Sequence, residues 1–155
     1  MNETKTYDDE FWTHHFMDSG VLVWQGLSFE LVCMAHLQQI KKALGISGMS
    51  TKVSAWRYVP KESGAKDLPT KGAQVDMVIS RADKIIHLCE IKFSQGPFSI
   101  SSDYRQHLEE RMEIFRQVTG TRHGLVHTFI TPDGVAKNGN RCIVHSEVTA
   151  RELFT

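Results

Sequence analysis

Two apolar segments of this chain carry three charged residues, Asp76, Glu90 and Lys92, whose types suit metal or acid–base chemistry. The segment from Ile85 to Phe93 reads as a strand, in which side chains alternate between faces, so Glu90 and Lys92 point the same way. Asp76 stands between Val75 and Met77 in a second strand-like run from Ala73 to Arg81. Charges in such surroundings are costly unless they are paired, so each needs a partner.

The turn between the two runs decides whether the groups can meet. If Ala82-Asp83-Lys84 forms a three-residue turn, Asp76 lies opposite Glu90, Val78 opposite Leu88 and Ser80 opposite Ile86. A two-residue turn would place Asp76 opposite Cys89 on the other face, because a slip of one residue inverts every side chain. The apolar pairing favours the first register. Two carboxylates so placed repel, and without a cation one of them would take up a proton. A hard divalent ion such as Mg²⁺ is the natural partner of such oxygen donors. The plain alternative is a solvated charge network in which Lys92 simply pairs with one acid. Spacing alone leaves both open.

The elements that must position these residues follow from periodicity. Phe29, Val32, Cys33, His36, Leu37, Ile40 and Leu44 recur at helical spacing and predict a helix from about Ser28 to Leu44, stopped by Gly45. Lys52 to Val59 alternates as a strand, and Pro60 to Lys71 is a loop. A second helix runs from Ser102 to Thr119, with Tyr104, Leu108, Met112 and Phe115 inward and Gly120 beyond its end. Strands follow at Gly124 to Thr131 and Arg141 to His145, and Thr149 is placed to cap a short last helix. This order predicts an α/β (α+β) fold, a mixed central sheet flanked by helices. Ahead of it, residues 1–27 form an aromatic-rich segment with Phe11, Trp12, Phe16 and Trp24, expected to pack as a short helix and loop on the domain spanning 28–155.

Composition narrows the function classes. With 155 residues, 41% of them apolar, the chain can bury one domain core. It contains no run near the roughly 20 apolar residues that cross a bilayer and no apolar signal core, so the expectation is a cytoplasmic protein without a membrane partner. Cys33, Cys89 and Cys142 are far apart in apolar runs and read as buried reduced thiols. The histidines, including His14-His15, show no zinc spacing. No GxxxxGK[ST] loop or GxSxG elbow is present. A formal net charge of zero argues against sequence-independent nucleic-acid binding over the whole surface. Yet Lys52, Arg57, Lys61, Lys66 and Lys71 gather in a stretch with only two acids, Glu62 and Asp67, which is either a local basic face or an ordinary solvated edge.

Gly72-Ala-Gln-Val-Asp76, thirteen intervening residues and Glu90-Ile-Lys92 together resemble the PD-(D/E)XK motif of restriction-endonuclease-like enzymes. The element order also looks like that family's αβββαβ core. The resemblance implies a further acid on the first helix, and Glu30 stands there; a helix-start acid favoured by the macrodipole is the alternative. The segments Gln39 to Ser47 and Leu88 to Ser94 are similar to the C-terminal domain of bacterial AAA-type ATP-binding proteins, which carry an ATPase domain ahead of this region. The chain therefore resembles such a domain in isolation, with the ATPase domain as an implied partner.

What the resemblance implies is a nuclease site. Asp76, Glu90, the Ile91 backbone carbonyl and Glu30 would hold Mg²⁺ or Mn²⁺, and Lys92 would orient water or stabilise developing charge during cleavage of DNA, before RNA. Gln74 and Tyr104 are lesser candidates. The competing expectation is a catalytically inactive nuclease-like fold that binds protein or nucleic acid for the ATPase.

Overall fold

The structure, a computed structural model, describes residues 19–62 and 67–155. The expected packing of Phe11, Trp12 and Phe16, the His14-His15 pair and Lys66 lie outside those residues.

An apolar run without a proline carries the first helix further back than its stripe suggested. Helix α1 spans Ser19–Ala35 and takes in Gly26 and Trp24, which the sequence had placed in a separate segment. Trp24 is exposed there, as are Val23, Leu27 and Leu31. The helix then breaks at His36, so the expected single helix to Leu44 is two. His36 N–H donates to the Cys33 carbonyl (3.1 Å), while its ring Nδ1 lies 2.7 Å from the Val32 carbonyl that this N–H would otherwise have used. A side chain inserted in the hydrogen-bond ladder is a known cause of kinks. Helix α2, Leu37–Ala43, leaves at a bend of 78°. Among the described residues no single helix is long and apolar enough to cross a membrane.

The chain is an α+β fold with a five-stranded mixed sheet flanked by helices. In spatial order the strands are β1 (Thr51–Tyr58), β2 (Ala73–Arg81), β3 (Ile85–Ile91), β4 (Gly124–Thr131) and β5 (Val144–Thr149). The first three form an antiparallel meander, whereas β3–β4 and β4–β5 are parallel. A parallel pair needs a crossover, supplied between β3 and β4 by α3 (Ser102–Thr119). Ser101 Oγ accepts from the Tyr104 N–H (3.1 Å) at its start, and Gly120 in left-handed conformation ends it. A last turn, α4 (Ala150–Leu153), begins where the Thr149 N–H donates to Glu152.

Core residues fill both faces of the sheet. Cys33, Ile40, Ile79, Cys89, Ile130 and Leu153 pack on the side of α1, α2 and α4. Val78, Leu88 and Phe115 pack on the α3 side, continued by Leu108 and Phe129. One expected strand is displaced: Gly139–Ile143 is a 3-10 turn and β5 starts only at Val144. Cys142 is consequently exposed, in contrast to Cys33 and Cys89, which are buried thiols.

The β2–β3 turn has three residues, with Lys84 in left-handed conformation (φ 67°), a common form of such loops. Val78 pairs with Leu88 and Ser80 with Ile86, the register predicted from the apolar pattern.

Two buried histidines make the core sensitive to acid. His87 Nδ1 lies 2.7 Å from Thr128 Oγ1, and neither ring nitrogen of buried His127 meets a protein partner. Burial, and then the Arg81 charge beside His87 and the Arg111 charge beside His127, lower both pKa values to about 4. A folded-state value depressed below the ordinary 6.5 means that stability is full above pH 6.5 and falls as the pH drops toward 4. Each group costs about 1.4 kcal/mol per pH unit across that window. Urea melts of His127→Leu should therefore show roughly half the wild-type pH dependence between pH 6.5 and 4.5. In the same assay Lys84→Gly should be neutral or stabilise by up to about 1 kcal/mol, because glycine adopts left-handed backbone without strain.

Candidate functional site

Strands β2 and β3 stop pairing at Met77 and Cys89 although both continue. From there, Val75, Gln74 and Ala73 pair only with β1, whereas Glu90 and Ile91 pair with β4. The expected Asp76–Glu90 cross-strand pair is therefore not formed, and the sheet opens as a fork at that level.

A bulge explains the opening. Ser54 pairs with Val78 and Trp56 with Val75, so Ala55 alone faces both Asp76 and Met77. The extra residue resets the alternation of β2. Val75 consequently packs with Val78, Trp56 and Phe115 on the α3 side. Asp76 instead lines a groove with Glu30 of α1, Arg57 and Gln74. The sequence pattern gave the right turn and register but could not reveal an extra residue that sends Asp76 to the other side.

Glu90 faces α3 and is 5% exposed. Arg111 donates to one of its oxygens, and Tyr104 O–H donates to the other at 2.5 Å. Lys92 Nζ lies 3.7 Å from that second oxygen and 5.4 Å from the Tyr104 ring centroid. Burial alone would push the Glu90 carboxyl up, but the Arg111 charge and the Tyr104 hydrogen bond outweigh it and hold the group below the usual range. Tyr104 is shifted upward, first by burial and then by the Glu90 charge, so it remains a protonated donor. Arg111 also donates to the Gln74 carbonyl (3.4 Å). One guanidinium thus ties β3 to β2 where their direct pairing has ended.

Arg111 escaped the sequence reading because a charged residue on a helix normally belongs to its wet face. Its signal was position: Tyr104, Leu108, Arg111 and Phe115 follow the three- and four-residue spacing of one inward stripe.

On the other side of the fork, Gln74 Nε2 donates to Asp76 Oδ1 (3.2 Å). Burial first, and the Asp76 charge second, raise the Glu30 pKa. The Asp76 charge also acts on Tyr104, so both sides of the fork share one field. The structure thus brings Glu30 to Asp76 and Lys92 to Glu90, but does not gather all three acids. Ile91, whose carbonyl was an expected donor, lies in β3 beside Ile130. Among the described residues no three Asp, Glu, His or Cys groups come together closely enough to hold an ion. Mg²⁺ commonly takes one or two carboxylates and leaves its other positions to water and substrate oxygens. The repelling Asp76–Glu30 pair fits that demand. Glu90 as placed does not, because both its oxygens are engaged.

No family model matches the sequence, and no curated protein matches it. The crystal structure of AF1548, a protein of unknown function, is similar with a TM-score of 0.46 and 15% identity, over 76% of this chain. The chain spans 56% of the length of that protein.

Glu90→Gln should cost about 3–5 kcal/mol in chemical denaturation, because it strands a buried guanidinium. The double variant Glu90→Leu/Arg111→Met should recover much of that loss, since an apolar pair of similar volume avoids the desolvation penalty. A cost of Glu90→Gln below about 1 kcal/mol, the range of a surface pair, would contradict the burial of this network.

Proposed function

We propose that this domain is a divalent-metal-dependent phosphodiesterase of the PD-(D/E)XK nuclease-like type, acting on DNA as the C-terminal module of a larger AAA-type ATPase. The observation that carries the reading is the fork: two strands part where the motif residues stand, with Asp76 and Glu30 at one side and Glu90 and Lys92 at the other. Asp76 and Glu30 would hold Mg²⁺ or Mn²⁺, which when bound supplies a Lewis acid and a water of lowered pKa.

The chain's own groups have separate tasks. Glu90, fixed by Arg111 and Tyr104, is a buried anion that holds Lys92 at the fork mouth. The Lys92 ammonium is partly exposed and is held between the Glu90 carboxylate and the Tyr104 ring. There it would stabilise negative charge developing on phosphoryl oxygens. Gln74, bonded to Asp76, orients that carboxylate toward the groove.

A second reading is favoured by a different observation. The internal engagement of Glu90 and the exposed stripe of Val23, Leu27 and Leu31 on α1 suit an inactive nuclease-like fold that docks a protein partner.

Thermal melts with and without Mn²⁺ separate the two. At ten times its dissociation constant the ion should add about 1.4 kcal/mol, raising Tm by roughly 3–6 °C for a domain of this size. Asp76→Asn should abolish the shift and Glu30→Gln should diminish it. Lys92→Met should keep the shift but lose metal-dependent nicking of plasmid DNA. A melting curve that millimolar Mn²⁺ leaves unchanged would favour the interaction module.

A further inference from the structure

The described residues hold a second constellation that the metal chemistry does not use. A small cavity of about 30 Å³ lies between the start of β2 and α3, lined by Lys71, Gly72, Gln74, His107, Glu110 and Arg111. It adjoins an open groove of about 440 Å³ that shares Gly72, Gln74 and His107 and adds Arg57 and Tyr58 of β1. Arg57 and Gln74 also line the groove of Asp76 and Glu30, so the two grooves share a wall at the end of the sheet.

We propose that this cavity and the groove beside it form an oxyanion subsite for a phosphate of a nucleic-acid backbone, flanking the one that the Asp76–Glu30 pair would meet. Three observations point there. Arg111 lines the cavity and is 6% exposed; its Nη1 serves Glu90 and Gln74, and its Nε and Nη2 meet no protein acceptor. Buried polar groups are rarely left in that state without an acceptor to serve. The Arg111 charge is matched by Glu90, and Arg57 and Lys71 bring two further positive charges to the cavity and groove against the single carboxylate of Glu110. Lys71 is held to Glu110 at 3.0 Å, but both side chains are largely exposed, and an exchange of partners there costs little. Finally, Gly72 lets the strand run close to β1: a Cβ there would lie 3.1 Å from the Tyr58 carbonyl. Two of the five bases in the stretch from Lys52 to Lys71, Arg57 and Lys71, thus have a shared place and a ligand chemistry. The subsite deepens the nuclease-like reading by assigning the flanking phosphate, but it stands on residues outside the carboxylate pair.

The test is binding of a fluorescent single-stranded thymidine decamer to the full chain in EDTA, so that no metal contributes. Wild type should bind. Arg57→Gln and Lys71→Gln, both surface changes that leave Tm unaltered, should each weaken binding about 5-fold and flatten its salt dependence. Removing one phosphate contact lowers the log–log salt slope by roughly 0.7 for a single strand. The distant Lys84→Gln should bind as well as wild type. Inorganic phosphate should displace the decamer only at tens of millimolar. Binding by both groove variants equal to wild type, or no binding in EDTA, would overturn the subsite. Phosphate binding tighter than the decamer would overturn the backbone assignment in favour of a free-phosphate site. Decamer binding that follows the groove variants, without any metal-dependent nicking, would support the subsite while removing the nuclease reading.

Discussion

The buried ion pair between Glu90 and Arg111 is the constraint around which the site is arranged. A carboxylate at 5% exposure in an apolar strand is tolerable only with its charge balanced and its oxygens bonded. Arg111 and Tyr104 meet both needs from one face of α3. That requirement fixes how α3 sits on the sheet, since Leu108 and Phe115 pack along the same stripe. It also fixes Lys92, which follows Glu90 on the same strand face and settles over Tyr104.

The second constraint is the bulge of β2. An antiparallel pair that continued past Met77 and Cys89 would bring Asp76 against Glu90 and bury two repelling charges together. The extra residue opposite Ala55 sends Asp76 toward Glu30 and parts the strands. Arg111 then bridges the gap by reaching the Gln74 carbonyl. The same displacement leaves one carboxylate pair beside an open groove and one carboxylate committed to the interior. Next to the open pair stand Arg57, which lines the same groove, and Lys71, which is paired with Glu110.

Much of this was legible in the chain. Strand alternation and a three-residue turn placed Val78 opposite Leu88, and the inward stripe of α3 was visible from Tyr104 to Phe115. Helix boundaries were less so. No residue type marks the break at His36, which depends on a ring capturing the Val32 carbonyl, and nothing between Ser19 and Ser28 announces that α1 has already begun. The bulge was invisible because it arises between β1 and β2, and a pattern read along one strand does not report a mismatch with its neighbour. Arg111 was hidden for a related reason: its partner Glu90 is 21 residues away, and only the fold brings them together.

The central claim is that the fork divides the acids into an open pair, Asp76 with Glu30, and a closed one, Glu90 with Arg111. A crystal grown with Mn²⁺ and measured at the manganese edge tests this directly. The account predicts one anomalous peak between the Asp76 and Glu30 carboxylates, with Glu90 still bonded to Arg111 and Tyr104. A peak centred on Glu90 with Arg111 displaced, or no peak near Asp76 at saturating Mn²⁺, would contradict it.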